Sequence, residues 1–94
     1  MFEWDPVKAR ANELKHGVSF DEAATVFLDS DALDGPDGQH SRVEARFLRL
    51  GRSVEGRVLI VAYTLRRSGD GEAIRLISAR RASRHERAAY GAAD

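Results

Sequence analysis

The chain has 94 residues, 43% of them hydrophobic and 32% charged, so we expect one globular domain over residues 1–94. It contains no cysteine, which excludes disulfides, and its longest apolar stretch, Val58–Tyr63, is too short to cross a membrane. Without a signal-peptide pattern, a cytoplasmic protein is expected. The net charge is zero, but residues 1–42 carry a net −5 and residues 43–94 a net +5, mostly from arginine. An arginine-rich half suits a polyanionic ligand or an acidic partner, although a merely solvated surface is the alternative.

A short strand and a helix are predicted at the start of the chain. Alternation of apolar and polar residues at Phe2–Trp4 indicates the strand. Asp5 as N-cap and Pro6 at the first helical position begin the helix, and Gly17 ends it. The apolar stripe that we expect to face the core consists of Val7, Ala11 and Leu14.

A second helix and a loop follow directly. Ser19 and Glu22 have the spacing of a capping box, which predicts a helix over Phe20–Leu28. Residues 29–42 are rich in Asp, Gly and Pro and lack apolar periodicity, so a surface loop is expected. The aspartates of this loop partly match a calcium-binding pattern, but His40 stands where that pattern needs a glutamate, so a solvated loop is the better interpretation.

Three antiparallel strands and a closing helix complete the predicted order. The strands are expected at Glu44–Leu50, Val58–Leu65 and Ala73–Ala79, with turns at residues 51–56 and 68–71. The second of them is nearly all apolar and should lie at the centre of the sheet. A second capping box at Ser83 and Glu86 predicts a helix over Arg84–Tyr90. The expected fold class is therefore α+β, in the order β-α-α-β-β-β-α, with helices packed on an antiparallel sheet.

Two basic residues in the last turn of the first helix are candidates for acid–base chemistry. His16 follows Lys15 at the helix C-terminus, where the helix dipole favours a cation. The imidazole can therefore serve as a general acid or base, or it can simply end the helix. The three histidines are too scattered in the sequence to indicate a metal site, so we expect neither a metal nor a cofactor.

Arginines on the predicted sheet are candidate phosphate ligands. A regular strand would place Arg75 and Arg80 on opposite faces, while Arg46 and Arg66 can reach the same sheet. Clustered guanidinium groups can hold a phosphate and stabilise the charge of a phosphorane-like transition state. RNA cleavage needs little else, because the 2′-hydroxyl of the substrate can attack once a base takes its proton. The alternative is that these arginines form surface salt bridges with Glu44, Glu72 and Glu86.

Several blocks of the sequence have the order and spacing of one toxin family. The blocks are Phe2–Pro6, Lys8, Asn12, Lys15–Phe20, Glu22-Ala23, Val26-Phe27, Glu44-x-Arg46, Gly51, Gly56-Arg57, Arg75-x-Ile77-Ser78-Ala79-Arg80 and Glu86-Arg87-x-x-Tyr90. Over nearly its whole length the chain resembles the BrnT toxins. This resemblance implies a RelE-like fold and an endoribonuclease that acts without the ribosome. It also implies neutralisation by a BrnA-type antitoxin, whose ribbon-helix-helix domain binds operator DNA, in a heterotetramer with two copies of each chain.

The resemblance supports a set of candidate site residues but does not say which of them is the general base. Lys15 and His16 are the candidates for that role, and the expected ligands of the phosphate and of the transition state are Arg46, Arg66, Arg75 and Arg80. Leu65 stands where many members have an acidic residue, which removes a carboxylate from that position. Tyr90 either packs in the core or stacks on a base.

Three hypotheses follow from these observations. The first is a ribonuclease toxin that acts on RNA and is silenced by the antitoxin. The second is a non-catalytic nucleic-acid-binding module that uses the same arginine-rich surface. The third is a protein-interaction domain whose arginines pair with an acidic partner.

Overall fold

The computed structural model describes residues 1–40, 44–69 and 71–91, which form a mixed α+β fold with one five-stranded sheet and three helices. The elements are β1 (Phe2–Glu3), α1 (Pro6–His16), α2 (Phe20–Ala24), β2 (Leu33–Pro36), β3 (Arg46–Arg52), β4 (Val58–Ser68), β5 (Gly71–Arg81) and α3 (Arg84–Gly91). The strand order is β1-β5-β4-β3-β2, and every pair is antiparallel except β1–β5. β4 lies at the centre of the sheet, as its apolar sequence predicts. None of the helices in the described ranges is long and apolar enough to span a membrane.

Several predicted boundaries differ from the observed ones. The second helix, expected to reach Leu28, is α-helical only to Ala24 and continues as a 3₁₀ turn over Thr25–Leu28. The strands β4 and β5 are longer than predicted because their solvated polar ends pair with each other beyond the core, where apolar alternation gives no signal. Of the predicted loop and hairpin turn, residues 41–42 and Asp70 lie outside the described residues.

The segment predicted as a loop contains the edge strand β2, so that prediction is wrong in part. β2 pairs with β3 over four residues. The Asp34 carboxylate accepts hydrogen bonds from the Tyr63 hydroxyl at 2.7 Å and from Arg49. Burial and the bond to Asp34 raise the pKa of Tyr63 to about 12. Asp29, just before the strand, accepts bonds from Tyr90 and from the backbone of Arg52. These two aspartates therefore fasten the segment to the sheet, a role that their loop-like composition conceals.

The apolar stripe predicted for α1 faces solvent, so this prediction is also wrong. Val7 and Leu14 are each 78% exposed, whereas Ala9 packs on the core and Asn12 is buried. The ends of the helix are as predicted. The Asp5 side chain accepts from the Val7 N–H at 2.8 Å, and Gly17 ends the helix in the left-handed conformation at φ 69°.

Asn12 faces the sheet because it completes the hydrogen bonding of a strand edge. β1 pairs with β5 only at two residues, so the edge of β5 continues past it. The Asn12 amide accepts from the Ala79 N–H at 3.0 Å and donates to the Ala79 carbonyl at 2.8 Å. It also donates to the carbonyl of Val18 at 3.0 Å. One side chain thus replaces a neighbouring strand and joins α1, β5 and the turn between the first two helices.

The main core lies between the helices and one face of the sheet, called here the helix face. Its buried members are Val18, Phe20, Ala23, Val26, Leu59, Val61, Tyr63, Leu76 and Ala79. On the opposite face, called here the open face, α3 packs over one end of the sheet. There Tyr90 is 5% exposed and clusters with Leu50 and Ala82. Tyr90 is therefore a core residue, not a stacking platform for a base.

Glu22 does not close the capping box predicted for the second helix. Ser19 Oγ accepts from the Glu22 N–H at 3.1 Å, as expected, but the Glu22 carboxylate is buried. It accepts hydrogen bonds from Arg57 and from the Ser53 hydroxyl at 2.7 Å. The bonds from Arg57 outweigh burial and lower the pKa of Glu22. The carboxylate thus ties α2 to the turn between β3 and β4.

Candidate active site

A β-bulge in β5 brings two arginines onto the open face together. The register between β4 and β5 shifts at Ile77, which has no partner on β4. Arg75 lies opposite Thr64, and Arg80 lies opposite Ile60. Because these two partners are four residues apart on a regular strand, both arginines point to the same side of the sheet. The prediction of opposite faces assumed a regular β5 and is wrong.

A groove of about 500 Å³ lies on the open face beside this bulge, and we call it the central groove. Its floor is apolar and includes Leu48, Ile60 and Ala62. The last turn of α1 reaches its rim at the uncovered part of the β5 edge. Its ionisable lining residues are Lys15, His16, Asp37, His40, Arg46 and Arg80. Four of the six residues proposed from the sequence therefore meet in one groove.

The other two proposed arginines line an adjoining groove of about 140 Å³, called here the side groove. Arg66 and Arg75 lie there together with Lys8, and Arg46 lines both grooves. The structure thus brings all six candidates to one continuous region of the open face. They do not form a single cluster, because Arg46 stands between the two sets.

Arg80 is fixed in position by a bidentate ion pair. Its two terminal nitrogens donate to the two carboxylate oxygens of Glu86 at 2.8 and 2.9 Å. Glu86 also accepts from the Ser83 N–H at 2.7 Å, and Ser83 Oγ accepts from the Glu86 N–H at 3.1 Å, which is the capping box predicted for α3. The bonds from Arg80 lower the pKa of Glu86 to about 2 and raise that of Arg80. The start of α3 therefore positions Arg80 at the rim of the central groove.

The arginines of the side groove also have carboxylate partners. Arg75 donates to Glu3 at 2.7 Å, which joins β1 to β5, and the nearest Arg66 and Glu44 atoms are 3.6 Å apart. The salt bridges expected as the alternative reading thus exist for Glu44 and Glu86, while Glu72 pairs with Arg67 instead. The side chains of Arg75 and Arg66 remain 30% and 50% exposed, so a ligand can still reach them.

The sequence interpretation missed a histidine–carboxylate pair in the central groove. His40 Nδ1 lies 3.1 and 3.2 Å from the two oxygens of the buried Asp37 carboxylate. This contact orients the imidazole and leaves Nε2 available to a ligand. The signal in the sequence was the three-residue spacing of Asp37 and His40 inside a turn, which a loop assignment does not distinguish from solvated polar residues.

No group of three or more His, Cys, Asp or Glu side chains within residues 1–40, 44–69 and 71–91 is arranged to hold a metal ion. Two of the aspartates that resemble a calcium loop have protein partners, since Asp29 accepts from the Arg52 N–H and Asp34 accepts from the Tyr63 hydroxyl. Burial tends to raise the pKa of Asp29, but hydrogen bonds from Arg52, Tyr90 and Asp31 lower it overall. The central groove offers imidazoles, cationic side chains and the Asp37 carboxylate as its chemical groups.

Comparison with known proteins identifies the family. The crystal structure of the ribonuclease toxin BrnT from Brucella abortus superposes with a TM-score of 0.64 at 24% sequence identity, covering 89% of this chain and 99% of that one. This likeness shows that the two proteins share a fold. No curated protein sequence matches significantly. The model of the ribonuclease toxin BrnT of type II toxin–antitoxin systems matches residues 4–86. The chain therefore belongs to the BrnT family of ribonuclease toxins of type II toxin–antitoxin systems.

Proposed function

We propose that this toxin cleaves RNA in the central groove through the 2′-hydroxyl of its substrate, without the help of a metal ion. The observation that carries the proposal is the meeting of two imidazoles and three cationic side chains around one groove. In this reaction the 2′-oxygen bonds to phosphorus as the bond from phosphorus to the 5′-oxygen breaks. A base removes the 2′ proton and an acid protonates the leaving 5′-oxygen. The products are a 2′,3′-cyclic phosphate and a 5′-hydroxyl.

The two histidines differ in ways that favour opposite roles. His40 contacts the Asp37 carboxylate, which orients the ring and stabilises the imidazolium that forms when a base takes a proton. His16 ends α1 and, among the residues that the structure describes, has no carboxylate contact that would stabilise it as a base. We therefore assign the general base to His40 and the general acid to His16, with Lys15 beside it as an electrostatic ligand. His40 thus joins the two candidates for the base that the sequence supplied.

The arginines supply charge stabilisation. Arg46 and Arg80 lie in the same groove as the imidazoles and are assigned to the oxygens of the scissile phosphate. Arg66 and Arg75 lie in the side groove and are assigned to a neighbouring phosphate of the strand. The separation into two grooves suits a polymeric substrate better than a single small phosphate ester.

Product chemistry tests this proposal. Purified toxin is incubated with a single-stranded RNA in EDTA, and the ends of the fragments are identified by mass spectrometry. We expect cleavage to persist and to leave cyclic phosphate and 5′-hydroxyl ends. Cleavage that requires magnesium and leaves 3′-hydroxyl ends would overturn the mechanism.

A substrate with an activated leaving group separates the two histidines. Replacing the 5′-nucleoside by p-nitrophenolate removes the need for a general acid, because this leaving group departs without protonation. The activity lost in His16→Ala is then restored, whereas the activity lost in His40→Ala is not. His85→Ala serves as a control, because this exposed histidine lies on α3 and does not line the central groove. Equal losses for both variants on both substrates would contradict the assignment.

The partner is proposed from family membership. Type II systems pair a toxin with a protein antitoxin, and we infer a BrnA-type ribbon-helix-helix antitoxin in a 2:2 heterotetramer that contacts operator DNA through the antitoxin. We further infer that the antitoxin covers Arg46, Arg75 and Arg80 and so excludes RNA. The relation to RelE-like ribonucleases and a cytoplasmic location, both expected from the sequence, remain predictions of the same kind.

A further inference from the structure

A second basic groove lies at the end of the sheet, away from the candidate active site. It has a volume of about 420 Å³ and is called here the end groove. It is formed where β3 ends, β4 begins and β5 ends, along the side of α3. Four arginines line it, namely Arg52, Arg57, Arg81 and Arg87. Among the residues that the structure describes, these are its only charged lining residues, whereas the central groove also contains a carboxylate.

Two of these arginines are held by partners that leave part of the guanidinium unused. Arg57 is anchored by the buried Glu22 and donates to the Gly17 carbonyl at 3.1 Å. Arg52 lies over the Tyr90 ring, with 5.4 Å from its guanidinium carbon to the ring centroid, and donates to the Gly56 carbonyl at 3.3 Å. A guanidinium has five N–H donors, so each of these groups is preorganised and still has donors to offer.

The other two arginines have no carboxylate partner among the residues that the structure describes. Arg87 donates to the backbone carbonyl of Ala82 at 3.1 Å, which positions the side chain without neutralising it. Within the described residues, the Arg81 side chain makes no hydrogen bond or ion pair of its own, and its charge acts on Glu22 only through space. The end groove therefore has an unneutralised positive charge and several N–H donors.

The end groove and the central groove are lined by neighbouring residues of β4 and β5. Arg80 lines the central groove, and Arg81, the next residue of β5, lines the end groove. On β4, Ile60 lines the first groove and Val58 lines the second. Because the lining residues of the two grooves are one or two positions apart on β4 and β5, one extended RNA strand can contact both grooves.

We propose that the end groove binds phosphodiesters of the RNA strand whose scissile phosphate lies in the central groove. This inference rests on the proposed function and adds a second contact region to it. Phosphates fit because the arginine fork matches their geometry and because a basic groove follows a nucleic-acid backbone independently of sequence. An acidic protein segment fits less well, because binding of a protein partner depends on apolar anchor sites, and Val58 is the one aliphatic side chain among the described residues that line the groove.

Binding of a non-cleavable RNA tests this proposal independently of catalysis. The probe is a 2′-O-methyl oligonucleotide of about 12 nucleotides, long enough to pass both grooves. Its dissociation constant is measured by fluorescence anisotropy over a range of salt concentrations. The double variant Arg81→Ala/Arg87→Ala is expected to bind on the order of ten-fold more weakly and to reduce the slope of log K against log salt by about 1.4, at about 0.7 per lost phosphate contact. Arg81→Lys/Arg87→Lys keeps the charge and restores most of the affinity.

The matched control is Arg10→Ala/Arg67→Ala, which removes two exposed arginines that line neither groove. If the control weakens binding as much as the test variant does, or if the test variant binds like the wild type, the proposal is overturned. It is also overturned if the test variant keeps its RNA affinity but loses affinity for the antitoxin. If Arg87→Ala lowers the melting temperature, the single variant Arg81→Ala is measured instead of the double variant. Its control is then Arg67→Ala.

Cleavage kinetics distinguish this proposal from the proposed function. The value of kcat/KM for a cleavable 12-nucleotide RNA should fall in the double variant, while that for a dinucleotide, which is too short to reach the end groove, should change less than about two-fold. Equal losses on both substrates overturn the end-groove proposal. If the wild type leaves products of a different chemistry, the mechanism fails, but the anisotropy result still decides whether the end groove binds RNA.

Discussion

At the scale of single residues, polar side chains complete the fold as much as apolar ones do. Asn12 hydrogen bonds to both backbone groups of Ala79 and to the carbonyl of Val18, all in a buried position. A buried backbone group without a partner is costly, so the amide is a structural requirement of the β5 edge. The same edge leads directly into the central groove, which links Asn12 to the geometry of the site.

Replacement of Asn12 tests this role. Asn12→Ala should lower the free energy of unfolding by about 2–4 kcal/mol, because it leaves several buried backbone groups without partners. Asn12→Asp should also destabilise, since a carboxylate cannot donate to the two carbonyls. Urea unfolding measures both, and Glu13→Ala, an exposed position on the same helix, should stay within about 0.5 kcal/mol of the wild type. A similarly small effect for Asn12→Ala would contradict the interpretation.

Arg80 is the residue on which the phosphate-binding hypothesis is most directly tested. Arg80→Ala should reduce RNA cleavage by about 2–4 kcal/mol of transition-state stabilisation, as expected for the loss of one oxyanion ligand. Its effect on unfolding should be far smaller, because the ion pair with Glu86 is partly exposed to solvent. Glu86→Gln is the matched comparison, since it removes the ion pair but keeps the Arg80 guanidinium, and it should lose less activity than Arg80→Ala. Full activity in an Arg80→Ala protein that melts much earlier would make Arg80 structural.

At the scale of elements, the bulge in β5 and the start of α3 build the site. The extra residue at Ile77 changes the phase of the strand, so that Arg75 and Arg80 share the open face. The capping box of α3 then fixes Glu86 against Arg80. A strand irregularity and a helix cap, both local features, thus place one arginine relative to the others.

The cap of α3 predicts a specific pH dependence. The pKa of Glu86 is lowered by Arg80 from its ordinary 4.5 to about 2, so its carboxylate stabilises the fold at pH values above 4.5. That stability should be lost progressively as the pH falls from 4.5 towards 2, because the unfolded chain takes up the proton first. Urea unfolding of Glu86→Gln over this range should show a weaker pH dependence than the wild type. An unchanged pH profile would mean that the pair does not contribute.

At the scale of the whole molecule, the two oppositely charged halves of the sequence interlock. The charge distribution along the sequence suggests separate acidic and basic surfaces. The structure does not keep the two halves apart. Its carboxylates pair with arginines of the second half at Glu3–Arg75, Glu22–Arg57 and Asp34–Arg49. These ion pairs connect parts of the structure that are far apart in the sequence. The positive charge available to ligands is concentrated at the three grooves.

This distribution predicts how the antitoxin binds. If acidic antitoxin residues cover Arg46, Arg75 and Arg80, the association rate should fall as salt rises, because charge complementarity accelerates the encounter. Stopped-flow measurements check the rate, and hydrogen exchange of the complex checks the location. Protection is expected on β3 and β5 around the two grooves. Protection confined to α1 and α2, where Val7 and Leu14 are exposed, would show instead that the partner packs on the helices.

Local signals in the sequence determined much of this protein. The caps at Asp5, Gly17 and Ser83 fixed where helices begin and end, because capping involves only residues within one turn. The apolar run of β4 fixed the centre of the sheet, and the family motifs indicated the toxin family. Residue type and approximate position selected six candidate site residues, but their distribution over the central groove and the side groove is a result of the structure.

Only the tertiary structure decided the features that depend on distant partners. Val7 and Leu14 have helical apolar spacing, yet the face of α1 that packs is the one whose Asn12 can satisfy the β5 edge. β2 forms because β3 offers it a hydrogen-bonding partner, and His40 joins the site because the turn after β2 places it and Asp37 beside the open face. A single sequence reports propensity and period over a few residues, whereas strand phase, packing face and site composition are set by contacts between residues far apart in the chain.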